Sequence, residues 1–117
     1  MLLRLCVMLA LLFATIVPSN AADPIVVNAI LSMTGPGAFL GQTEQKNLDI
    51  EIDMINKAGG VRGRMLKLNI LDDASNPPNA VQLIGPLIGK EQFILGPTIT
   101  ASCLAVAPLL KNGPVGE

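Results

Sequence analysis

The sequence predicts an α/β fold, a parallel doubly wound sheet built in the order βαβαβα. Three observations carry this. Apolar runs at 25–33, 65–71 and 93–95 each end in a cluster of turn formers, as strands running into loops do. Segments of helical periodicity lie between and after them, so strand and helix alternate with short connections, the pattern of right-handed crossovers and a parallel sheet. The first run, IVVNAILSM, is apolar almost without interruption, which suits a strand covered by helices on both faces.

Before these elements stands a different kind of segment. Arg4 is the only charge ahead of Asp23, and an apolar run over 5–17 follows it. Pro18 and then Ser19-Asn20-Ala21-Ala22 close the segment. A positive start, a short apolar run and a small-x-Ala site predict a secretory signal peptide over residues 1–21, cut after Ala21 or Ala22. The run is shorter than the ~20 apolar residues a membrane span needs. The expected product is periplasmic. It keeps one thiol, Cys103, so no disulfide within the chain is expected. Two readings of that thiol stand, a small buried hydrophobe or a reactive group.

Taken in order, residues 25–33 predict the first strand, broken by Thr34-Gly35-Pro36-Gly37. A helix is expected over 42–58, where Leu48, Ile52 and Ile55 recur at i, i+4 and i+7. Gly59-Gly60 stops it by supplying the left-handed backbone that ends helices. Alternation over MLKLNIL predicts the second strand at 65–71. The next helix starts at Pro77-Pro78, where a missing N–H does no harm, with Asp73 or Ser75 as its cap. Gly85-Pro86 predicts a kink or an early end in it. A short third strand at 93–95 ends in Gly96-Pro97, and a last helix is expected over 101–110, capped by Thr98, Thr100 or Ser102. Residues 111–117 read as a turn-like tail. Three strands make a thin sheet with an apolar edge left to cover, as in an unfinished lobe.

Composition removes several functions. The 117 residues carry 8 Lys+Arg against 9 Asp+Glu and no His. Such a balance lacks the clustered basic face of a nucleic-acid binder. Without His, neither a Ser-His-Asp triad nor a His-ligated metal site can be built. No cofactor is expected.

In parallel sheets, ligands bind beyond the carboxyl ends of the strands, which here means the loops at 34–41, 72–76 and 96–100. The first is Gly-rich, yet Gly35, Gly37 and Gly41 do not give the G-x-G-x-x-G spacing. It reads either as a plain turn or as a set of N–H groups facing an anion. Asp72-Asp73 make a weak metal or acid/base pair, because neighbours on a strand point to opposite faces. Thr98, Thr100 and Ser102 supply more hydroxyls than one helix cap needs, and the surplus suits a carboxylate at a helix N-terminus. Phe39 and Leu40, apolar at a loop tip, either line a ligand pocket or cover the sheet edge.

Several phrases then recur together: Ile30-Leu31-Ser32-Met33-Thr34-Gly35-Pro36, Gly41, Ile55-Asn56-Lys57-Ala58-Gly59-Gly60-Val61-Arg62-Gly63-Arg64, Asp72-Asp73-Ala74-Ser75-Asn76-Pro77 and Leu95-Gly96-Pro97-Thr98. In this order and spacing the chain resembles the N-terminal part of the periplasmic leucine/isoleucine/valine-binding protein family, the substrate-binding subunits of ABC importers. The resemblance covers about residues 25–112. It implies a two-lobed protein closing on an amino acid, with an inner-membrane ABC permease as partner, of which residues 22–117 supply an incomplete first lobe. It also implies that Thr100 is a hydroxyl contact to the ligand, with Thr98 and Ser102 beside it, and that Leu40 packs on the ligand's side chain. Some members join the positions of Ser75 and Ile99 by a disulfide, which this chain lacks. The rival expectations are a ligand-sensing domain on the same fold, a small enzyme using Asp72 and Asp73, or a fragment without function.

Overall fold

The computed structural model describes residues 22–90 and 93–111. The expected signal peptide at 1–21 lies outside the described residues, as does the tail beyond Lys111. Strand β1 is Ile25–Leu31, β2 is Leu66–Asp72 and β3 is Ile94–Leu95. Helix α1 is Ala38–Lys57, α2 is Pro77–Ile84, followed by a 3-10 turn at Gly85–Leu87, and α3 is Thr100–Leu110. The strands form one parallel sheet in the order β2-β1-β3, so the expected α/β architecture is the one observed.

Register explains the burial. β1 pairs with β2 from Ile25 opposite Leu66 to Leu31 opposite Asp72, and with β3 through Asn28 opposite Ile94 and Ala29 opposite Leu95. Opposed residues share a face, so Ile30, Leu71 and Ile94 point the same way. There they meet Ala80 and Ile84 of α2 and Val106 of α3 in one apolar cluster. Val27, Ala29 and Leu31, on the other face of β1, are buried as well. α1 packs chiefly on β1 and β2, whereas α2 and α3 pack on each other. β1 is thus the covered central strand its unbroken apolar run predicts.

Several boundaries differ from expectation for local reasons. α1 begins at Ala38, four residues before the expected start at Gln42. Gly41 makes this possible: a Cβ there would collide with the Ser32 carbonyl, so only glycine lets the first turn lie against the end of β1. Gly59 and Gly60 do stop α1, at φ of 102° and 74°, and the Gly60 N–H donates to the Ile55 carbonyl at 2.9 Å. Just before the stop, Asn56 accepts from the Leu66 N–H at 2.7 Å and donates to the Leu66 carbonyl at 2.9 Å. That double bond fixes the start of β2 and gives the Asn-x-x-Gly-Gly phrase a structural role. α2 ends at Ile84, where Gly85-Pro86 turns the chain into the 3-10 segment, the early end expected from an interior proline.

Candidate functional site

The loops after the three strands meet at one edge of the sheet, tied by side chains that the strand ends deliver. Asp72 and Asp73 alternate, as neighbours on a strand must. Asp72 is exposed and Asp73 is fully buried. Asp72 clasps the loop after β1: it accepts from the N–H groups of Met33 at 2.9 Å and Thr34 at 3.2 Å, and from the Thr34 hydroxyl at 2.7 Å. It also accepts from the Ala74 N–H at 2.8 Å. Slight desolvation pushes this carboxyl upward, but the Thr34 hydroxyl and the three N–H groups outweigh it and hold it below the usual carboxylate range.

Asp73 works inward. One oxygen accepts from the Ser32 hydroxyl at 2.7 Å and the Ser75 N–H at 2.9 Å; the other accepts from the Ser102 hydroxyl at 2.8 Å. Each aspartate therefore bonds the N–H two residues on, a pair of overlapping Asx turns. They hold Ala74 and Ser75 at φ of 53° and 56°, a left-handed backbone that costs a non-glycine residue about 1–2 kcal/mol. Ser75 in turn donates to the Thr34 carbonyl at 2.8 Å and accepts from the Gly37 N–H at 2.9 Å. Neither Asp73 nor Ser75 caps α2. That role falls to Asn76, whose side chain accepts from the Asn79 N–H at 3.4 Å. The two carboxylates face different neighbours and do not converge on a common point, so the geometry offers no acid/base pair.

The residues singled out from sequence separate into two groups. Thr98 and Ser102 have hydroxyls already committed. Thr98 accepts from the Ser32 N–H at 3.0 Å and donates to Glu44 of α1 at 2.6 Å. Ser102 is fully buried on Asp73. Thr100, Leu40 and Phe39 stay at the surface, with Leu40 43% and Phe39 68% exposed. The two helix starts adjoin: a Cβ on Gly37, the N-cap of α1, would stand 3.0 Å from the Ile99 side chain, the N-cap of α3. Ser75 Oγ would be 3.1 Å from that same point, so the two positions expected to lack a disulfide flank the Gly37 turn.

None of the three expected hydroxyls caps α3. It starts at Thr100 with Ile99 as its N-cap and no side-chain bond to the cap. Among the described residues nothing accepts from the first-turn N–H groups of Thr100, Ala101 and Ser102. Such orphan donors at the positive end of a helix suit a carboxylate. Cys103, half-buried in the next turn, gives its thiol hydrogen to the Pro97 carbonyl at 3.1 Å. Sequence reasoning missed Ser32, Glu44 and Asn76. The first two act through contacts distant in the chain, but Asn76 directly precedes two prolines, a signal that was available.

With this geometry in hand, the likeness to known proteins is informative. The family model described as "Periplasmic binding protein" matches residues 24–115. The chain belongs to that family. Among its relatives is Leu/Ile/Val-binding protein homolog 3 of Brucella melitensis, 31% identical over 98 residues, which span 83% of this chain and 27% of the relative. A periplasmic binding protein type 1 from Bordetella pertussis aligns with a TM-score of 0.69 and 27% identity, over 75% of this chain and 24% of that one. The branched-chain amino acid transporter substrate-binding protein of Streptococcus pneumoniae, solved with isoleucine, shares the fold at a TM-score of 0.68 and 24% identity, over 79% of this chain and 27% of its own. The chain thus spans about a quarter of the length of the proteins it matches, and those matches are binding proteins rather than enzymes.

Proposed function

We propose that this chain supplies part of the first lobe of an extracytoplasmic substrate-binding protein of an ABC importer, for amino acids of the branched-chain type. In this reading residues 1–21 are its cleaved signal peptide. Residues 22–117 are the N-terminal, incomplete part of the lobe, and an inner-membrane permease is the partner. The observation that carries the reading is the uncapped start of α3, which adjoins the start of α1, the turn that carries the exposed apolar pair Phe39 and Leu40. The ligand's carboxylate takes the first-turn N–H groups and the Thr100 hydroxyl, while Leu40, with Phe39 next to it, packs on the ligand's aliphatic side chain. Thr98 and Ser102 support the site from behind. The names of the relatives, Leu/Ile/Val-binding and isoleucine-bound, favour this class of ligand.

Isoleucine titrated into the isotope-labelled chain tests it. A quarter of a binding protein offers only part of the contacts, so the expected affinity is millimolar, roughly −4 kcal/mol. The amide signals of Thr100 and Ala101 should move, together with the methyls of Leu40. The Thr100→Ala variant should weaken the response without changing stability by more than about 0.5 kcal/mol. Movement of signals elsewhere, with Thr100 and Ala101 still, would refute the site.

A further inference from the structure

We infer that Asp73 is a positioning residue for the ligand-facing start of α3, acting through Ser102. This rests on the reading of Thr100 and its neighbours as the carboxylate site. The argument begins with the chemistry of a buried carboxylate. It accepts hydrogen bonds and donates none, so each group turned toward it must be a donor. Asp73 is fully buried and has three such donors from three segments: Ser32 after β1, Ser75 after β2 and Ser102 in α3. No salt bridge to Asp73 occurs among the described residues. A carboxylate kept in the interior by neutral donors alone is costly to unmake, because each broken bond leaves it poorly solvated.

The consequence for the site follows from helical geometry. Successive helical residues are about 100° apart, so Thr100 and Ser102 point to nearly opposite sides of α3. Fastening Ser102 inward on Asp73 turns Thr100 outward, where it is exposed. The same bond fixes the rotation of the first turn and hence the aim of its open N–H groups. Val106, buried in the apolar cluster, and Leu110 packed against it phase the body of α3. At its first turn no side chain caps the helix, so the Ser102–Asp73 bond is the side-chain tie that fixes this end from the Thr100 side. Asp73 thus orients the proposed contact while touching no ligand itself.

Amide exchange and isoleucine titration on the full chain, for the native protein, Ser102→Ala and Asp73→Asn, decide the matter. The reporter of the first turn is the Cys103 N–H, bonded to the Ile99 carbonyl at 3.1 Å. Both variants should speed its exchange and weaken the isoleucine response by about five-fold, the value of one hydrogen bond. The amides of β1 and β2 should keep their protection. Native exchange and native isoleucine response in Ser102→Ala would overturn the inference. So would loss of protection throughout the sheet, which would make Asp73 a general support. Should Asp73→Asn fail to fold, Ser102→Ala still decides. If isoleucine leaves the native Thr100 amide unmoved, the amino-acid reading falls, and positioning is then judged on Cys103 exchange alone.

Discussion

Two helices begin at the same edge of this sheet and pack against each other, yet their first turns are built in opposite ways. α2 closes its own end. Pro77 and Pro78 remove two N–H groups outright, and the Asn76 side chain takes the third. α3 opens with Ile99, which has no polar side chain, and among the described residues its first-turn N–H groups have no acceptor. An N-terminus that satisfies its own donors is finished as structure. One that does not holds them ready for an anion from outside. The contrast teaches where to look for function at a sheet edge: at the helix that local chemistry leaves incomplete.

The comparison can be broken from either side. Asn76→Ala removes the cap of α2 and should cost about 1 kcal/mol in urea titrations, while the response of Thr100 to isoleucine stays native. A loss of that response would mean the two starts are not independent. Ile99→Thr makes α3 resemble α2 by adding a hydroxyl cap to a side chain that stays β-branched. The gained cap and the lost packing are each about 1 kcal/mol, so stability should barely change while the isoleucine response falls, since the hydroxyl now competes for the same donors. An undiminished response would show that the ligand does not use the open turn. The smallest effect concerns Asp72. Its carboxyl lies below the usual range in the folded chain, so it favours the fold above the ordinary carboxylate range. That contribution is lost as pH falls through its lowered value. Acid titration followed by NMR should show the Met33, Thr34 and Ala74 amides loosening together. Asp72→Asn should abolish that transition and leave the amides of α3 unaffected.

Legibility in the sequence followed the range of the interaction. The start of β1, the glycine stop after α1 and the break at Gly85-Pro86 depend on neighbours in the chain. Each stands where expected, although β1 ends at Leu31, two residues before its apolar run does. α1 was expected late because Gly35-Pro36-Gly37 extends a turn signal over Ala38–Leu40. The first turn is helical only because Gly41 can press on Ser32, a contact made in three dimensions. The direction of Ser102 was hidden for a related reason. The sequence of α3 shows no distinct apolar stripe, and the carboxylate that turns Ser102 inward lies 29 positions away. Thr98 likewise looked available, while its two partners, Ser32 and Glu44, lie far off in the chain.

The Asn56 side chain, bonded to both the N–H and the carbonyl of Leu66, has a consequence for how the sheet can grow. Those groups face away from β1, because the preceding Met65 carbonyl is the one that accepts from Ile25. They are what an incoming strand would need at the outer margin of β2. One amide side chain imitates the first rung of such a strand and stops the ladder there. Addition of a further strand is thereby blunted at the start of the β2 margin.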